Sequence, residues 1–369
     1  MEHTMKKRVL LLVGNELCVA GVPNVIMNIV QELHQFYTFD VLTFSSKAGA
    51  LDSRFRSYGG TIFSLELPRY PQHPIACFLA YQQLYTKVKD ILQRNNYDVI
   101  HGHSGYFDGI CLKAARQAGI PVRISHAHGK YTWRGRNFLV KAYLELGKLM
   151  ISKNATNRLA CSDSAGETLF LNQTYVNVLN PVDIFRYADI EKKLHSGIQL
   201  LQIGYFCELK NQLFSIRLLN YLRKQGEDVH LSLIGYPQKQ KYLDEMNSLI
   251  AQYALAEHVS FLPCDFDKRE AFAQADYCML PSESEGLPLV ALESQAAGIP
   301  CLMSDHVPKD SNVGAGLFLP HNNLEKWATT IINGVEVDTK RLSDNLRTIS
   351  TMAYAAKIRS AYEQNTGKG

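Results

Sequence analysis

Residues 281–300 read PSESEGLPLVALESQAAGIP, directly after the apolar run YCML at 277–280. Four to five consecutive apolar residues closed by a proline have the length of a buried strand. Glu285 and Gly286 then turn the chain, and residues 287–297 carry helical spacing, with Leu289, Leu292, Glu293 and Ala296 at i, i+3, i+4 and i+7. A strand pattern resumes at 300–304. Strand, turn, helix and strand in that order make a βαβ unit, and such units build parallel sheets. The spacing puts Glu293 on an otherwise apolar stripe, where a carboxylate needs a polar partner. That partner is either a helix-end cation or the hydroxyls of a ligand.

The same alternation fills the chain. Strands are expected near 8–14, 39–44, 60–65, 97–101, 121–126, 156–161 and 176–180, then near 198–204, 229–235, 259–263, 277–281 and 300–304. Helical patterns lie between them, at 24–36, 79–93, 212–224 and 287–297, and a last one at 351–364. The segment PVDIFR at 181–186 and the polar EKKLHSG at 191–197 read as the connection between two halves, because a strand restarts at once. A chain of 369 residues fits two domains. The expected fold class is α/β, two Rossmann-like doubly wound domains facing across a cleft. Their ligand is expected at the carboxyl ends of the strands.

Composition narrows the function. Hydrophobic residues make up 46% and charged residues 20%, as in an ordinary globular protein. The net charge of +4, with no basic run and no zinc-finger spacing, points away from nucleic acid. The eight cysteines are scattered without a Cys-x-x-Cys pair, which suits buried free thiols in a reducing compartment. No run reaches the length of a membrane span, and VLLLV at 9–13 is too short for a signal-peptide core. The expected location is cytoplasmic.

A second informative stretch is LLQIGYFCELKN at 200–211. Its strand ends at Gly204, and Lys210 arrives where the next helix begins. A lysine there can neutralise a diphosphate whose charge grows as it departs. In the first half, YDVIHGHS at 97–104 and VRISHAHG at 122–129 each place two histidines at the end of a strand, at the edge of the expected cleft. With no carboxylate or cysteine nearby to complete a zinc set, metal is not expected there.

The stretch EGLPLVALE at 285–293 resembles the Glu-x7-Glu motif of family 4 retaining glycosyltransferases of the GT-B fold, and in particular the bacterial capsular and exopolysaccharide members. The likeness covers nearly the whole chain. It implies an acceptor-binding domain at 1–185, a nucleotide-sugar-binding domain at 186–345, and a helix at 346–369 that packs back on the first domain. It also implies donor-binding residues Gly204, Tyr205, Lys210 and Asn211 from the second stretch, and Glu285, Gly286, Leu287, Pro288, Leu289 and Glu293 from the first. Glu285 would touch the donor sugar, Glu293 the ribose, and Lys210 the diphosphate. His128 or His126 inherits the histidine that approaches the sugar, with His128 favoured as the one further out. Relatives carry Gly-Arg-x-x-x-x-Lys-Asn where this chain has Tyr205 in place of the arginine, which removes a charge-assisted donor. The first strand-to-helix loop keeps only Gly21 of a paired glycine that approaches acceptor or phosphate.

The implied activity is transfer of a hexose, from a UDP-sugar by preference, to a saccharide acceptor that is lipid-linked, in surface polysaccharide synthesis and with retention. No cofactor and no metal are expected for the donor diphosphate. Asp265 and Asp267, an Asp-x-Asp pair that marks metal-dependent transferases of another fold, read better as a helix-start loop. The mixture KYTWRGRNFLVKAY at 130–143 suits a peripheral contact with anionic lipid on the inner face of the cell membrane. Two rivals share the architecture: a sugar-nucleotide 2-epimerase, and a non-catalytic partner subunit of another glycosyltransferase.

Overall fold

The computed structural model describes residues 6–18, 21–66, 74–129 and 138–364. It divides into two compact units, Met1–Pro181 with Thr351–Gly369, and Val182–Ser350. The stretch at 130–137 lies outside the described residues, and so does most of the basic and aromatic segment expected to meet lipid. No described helix is long and apolar enough to cross a membrane.

The first unit runs β1 (Lys7–Val13), α1 (Gly21–Leu33), β2 (Tyr37–Thr43), α2 (Asp52–Ser57), β3 (Ile62–Ser64), α3 (Pro74–Arg94), β4 (Val99–Gly102), α4 (Asp108–Gln117), β5 (Val122–Ala127), α5 (Phe138–Asn154), β6 (Asn157–Ala160), α6 (Asp163–Leu169) and β7 (Val176–Asn177). The second runs α7 (Ile184–Tyr187), β8 (Ile198–Ile203), α8 (Gln212–Lys224), β9 (Val229–Ile234), α9 (Gln240–Gln252), β10 (Val259–Leu262), α10 (Lys268–Gln274), β11 (Tyr277–Leu280), α11 (Leu289–Ala296), β12 (Cys301–Ser304), β13 (Gly316–Leu319), α12 (Leu324–Asn333) and α13 (Thr339–Thr348). The last helix, α14 (Thr351–Glu363), returns to the first unit and packs on α1.

Every ladder is parallel. The strand orders are β3-β2-β1-β4-β5-β6-β7 and β10-β9-β8-β11-β12-β13. Each sheet therefore winds outward in one direction from its first strand and then in the other. Central strands such as β1 and β11 are buried on both faces, which is why they read as unbroken apolar runs rather than alternating ones. In the second core Trp327 sits wholly buried against Phe214, ring centroids 5.1 Å apart.

In each sheet the order reverses between the first strand and its inner neighbour, at β1/β4 and at β8/β11. Such switch points leave a crevice at the carboxyl ends of the strands, where doubly wound sheets bind their ligands.

Candidate functional site

At the β8/β11 switch point the two informative stretches meet. Lys210, in the β8–α8 loop, places its Nζ 2.6 Å from Oε1 of Glu285, in the β11–α11 loop. Both side chains are partly buried, so the pair is shielded from full solvent screening.

The lysine is held in place from its own backbone. The buried Gln202 donates to the Lys210 carbonyl at 2.7 Å, and Ser215 donates to Gln202 at 2.8 Å. The buried Gln212 donates to the Tyr205 carbonyl at 2.9 Å and accepts from the Cys207 N–H. Asn211 takes a left-handed backbone with φ of 55°, starts α8, and donates to the Pro281 carbonyl at 3.2 Å. The loop after β8 is thereby tied to the end of β11. Gly235 explains the close passage underneath: a Cβ there would lie 2.1 Å from the Gly204 carbonyl oxygen.

Tyr205 packs its ring edge-on against Tyr236, centroids 4.8 Å apart. Tyr205, expected from the resemblance to be an arginine, is thus packed against a neighbouring aromatic ring. Gly286, Leu287 and Pro288 complete the turn into α11.

Glu293 departs from expectation in its packing. The buried face of α11 is Val290, Ala291, Leu292, Ser294 and Gln295, whereas Leu289, Glu293 and Ala296 share a half-buried side. Small side chains and the internally bonded Gln295 let the helix bury a face that apolar spacing does not mark. Gln295 accepts from the N–H groups of Val313 and Ala315 and donates to the Ser311 carbonyl. The Glu293 carboxylate receives Lys268 Nζ at 2.6 Å, together with the Tyr187 hydroxyl. Burial first, then the Glu293 charge, raises the Tyr187 pKa, so the phenol stays a donor. A helix-end cation therefore meets this carboxylate. Asp267 caps α10 by accepting from the Arg269 N–H at 3.0 Å, so the Asp-x-Asp pair does form a helix-start loop.

In the first unit the four histidines stack on one face of β4 and β5, because i and i+2 residues of a strand point the same way. They do not all reach an edge. His101, His103 and His126 are buried, and only His128 keeps partial exposure. His103 Nδ1 lies 2.8 Å from His128 Nε2, and His101 Nδ1 lies 2.9 Å from the Tyr362 hydroxyl of α14. Burial, and then the neighbouring imidazoles, lower the pKa of His101, His103 and His126 well below the ordinary value. Burial takes His128 down to about 4, against a bond to Asn180 that raises it. All four rings are neutral near pH 7. His126 is part of the core, which leaves His128 as the ring of the pair with a surface.

Gly21 opens α1, is exposed, and would bring an added Cβ within 4 Å of nothing. Packing does not require a glycine there.

The family models agree with this geometry. Residues 185–341 match the model described as Glycosyl transferases group 1, and residues 19–172 match that of Glycosyltransferase Family 4. The chain is a glycosyltransferase, similar in each half to one of these family models. EpsF of Bacillus subtilis (strain 168), named as a glycosyltransferase, is 28% identical over 99% of this chain and 96% of its own. The UDP-Gal:alpha-D-GlcNAc-diphosphoundecaprenol alpha-1,3-galactosyltransferase of Escherichia coli is 25% identical over 66% of this chain and 67% of its own. Among solved structures, Anabaena Alr3699/HepE in complex with UDP superposes with a TM-score of 0.76 at 17% identity, covering 96% of this chain and 98% of that one. The glycosyltransferase thus shares the two-domain GT-B fold.

Proposed function

We propose that this glycosyltransferase moves a hexose from a UDP-sugar to a lipid-linked saccharide acceptor, with retention of the anomeric configuration, in the assembly of a surface polysaccharide. The observation that carries the reading is the Lys210–Glu285 pair at the β8/β11 switch point, which brings the two diagnostic stretches to one spot. The relative acting on a diphosphoundecaprenol-linked sugar and the UDP-bound structural neighbour support the acceptor and the nucleotide.

In this account the donor diphosphate draws Lys210 away from Glu285. The lysine and the positive dipole ends of α8 and α11 stabilise the charge on the departing diphosphate. Glu285, released from the lysine, accepts from a sugar hydroxyl. Glu293 keeps Lys268 on Oε2 and has lone pairs left for the ribose hydroxyls. His128, neutral near pH 7, is the histidine with surface to offer a sugar. A lysine rather than a metal ion handles the diphosphate. No carboxylate is assigned as a covalent nucleophile, so the acceptor attacks on the face that the diphosphate leaves, through an oxocarbenium-like transition state.

Slow donor hydrolysis, with water as acceptor, tests the stereochemistry without knowledge of the natural acceptor. Proton NMR of the first sugar released should keep the donor's anomeric configuration, before mutarotation. Release of the opposite anomer would overturn retention. Conversion of the donor to its 2-epimer, with no sugar released, would establish the epimerase instead.

A further inference from the structure

The carboxyl ends of β11, β12 and β13 carry a cluster that the donor chemistry does not use. Glu283 stands three residues past β11, His306 two past β12 and His321 two past β13, so three neighbouring parallel strands deliver one side chain each from the same edge. His321 Nε2 is 2.8 Å from Glu283 Oε1, and His306 Nδ1 is 4.0 Å from Glu283 Oε2. The two imidazoles stack, centroids 4.3 Å apart at 17°. One ligand atom from each residue lies within 4.8 Å of the other two.

We propose that Glu283, His306 and His321 bind one divalent transition-metal ion of the zinc, cobalt or nickel class. Two imidazoles and one carboxylate form a mixed nitrogen and oxygen set that suits these borderline ions and not the oxygen-seeking magnesium or calcium. Bonds of about 2.0–2.2 Å in tetrahedral geometry separate ligand atoms by about 3.4 Å. The 2.8 Å contact opens slightly to reach that value and the 4.0 Å contact closes. The set has one fixed member and two adaptable ones. His321 is 14% exposed and its backbone N–H donates to Asp305 Oδ1 at 3.1 Å. Glu283 and His306 are 39% and 46% exposed and have room to rotate. Two stacked rings beside one carboxylate repel if both are protonated, whereas one dication serves both. The remaining position opens to water, as three-ligand sites leave it.

The test uses the full-length chain, free of any affinity tag and stripped with a chelator. Zinc titrated by calorimetry should bind with one equivalent, and cobalt should give the visible absorption of a four- or five-coordinate ion. His306→Ala and Glu283→Gln should each weaken binding by roughly tenfold or more, since each removes a ligand. His321→Ala should abolish it. The exposed His306 carries the test if His321→Ala fails to fold, with circular dichroism of the metal-free variants as the control. No binding of either ion would overturn the proposal. So would binding undiminished in His306→Ala, the result expected if the ion sat instead among His101, His103 and His126, whose ligand atoms also lie within 4.8 Å of one another.

Discussion

The buried histidines of the first unit make its stability fall in mild acid. His101, His103 and His126 are held neutral in the fold, while an unfolded histidine titrates near 6.5. The folded state therefore binds fewer protons than the unfolded one below that value, and stability declines as pH falls through it. Between about pH 7.5 and about pH 5.5 each ring contributes a loss of about 1.4 kcal/mol, and with His128, held at about 4, the four contribute about 5.5 kcal/mol. Asp108 works in the opposite direction. Burial raises its pKa from 3.8 to about 7, against bonds from Ser125 and the Ser104 N–H that lower it. The folded carboxyl therefore regains its proton over the same interval while the unfolded one does not, a gain of about 2 kcal/mol. The net expectation is a first unit weaker by about 3–4 kcal/mol at the lower pH. Urea unfolding followed by circular dichroism at both pH values measures it. His126→Gln should shrink the pH dependence by about 1.4 kcal/mol, because one titrating ring is gone. Equal or greater stability in acid, or an unchanged dependence in the variant, would refute the reasoning.

Three further outcomes follow from the second unit. Lys268→Met leaves Glu293 half-buried with only Tyr187, and should lower stability by about 1–2 kcal/mol, seen as a fall of a few degrees in Tm. Gly235→Ala forces a Cβ against the Gly204 carbonyl at a φ of 154°, and should cost about 2 kcal/mol or more in thermal unfolding while weakening donor binding through the Lys210 loop. Lys210→Ala should slow donor turnover by about 10²–10³-fold, as removal of one donor to a developing anion does elsewhere, with Lys210→Arg recovering part of it.

Much of the frame is readable in the amino-acid order because parallel strands buried on both faces leave continuous apolar runs. The runs at 198–204, 229–235 and 277–281 fall within a residue of β8, β9 and β11. β13 escapes because GLFL is four residues long, begins on Gly316 just after Gly314 and lies on a sheet edge. The short amphipathic helix α12 and the polar α13 escape too, though Asn323 and Asp338 cap them.

The site was legible where chemistry and sequence neighbourhood coincide, as at Glu285 and Lys210. The supports were not. Gln202, Gln212 and Lys268 read as ordinary polar residues until the fold brings them to a carbonyl or a carboxylate. The histidine pairs mislead for a related reason: pairing of β4 with β5 buries three of the four apparent edge residues and leaves only His128 with a surface. Glu293 shows the converse, since of its apolar neighbours at helical spacing only Leu292 belongs to the buried face of α11.

The most direct measurement of the central claim is a calorimetric screen of UDP- and GDP-sugars against the wild-type chain, Lys210→Ala and Glu293→Ala. The account predicts that one UDP-sugar binds the wild type and that both substitutions abolish the binding. Binding that persists unchanged in both variants would contradict the placement of the donor at the β8/β11 switch point. Failure of every sugar nucleotide to bind the wild type would contradict the proposed reaction itself.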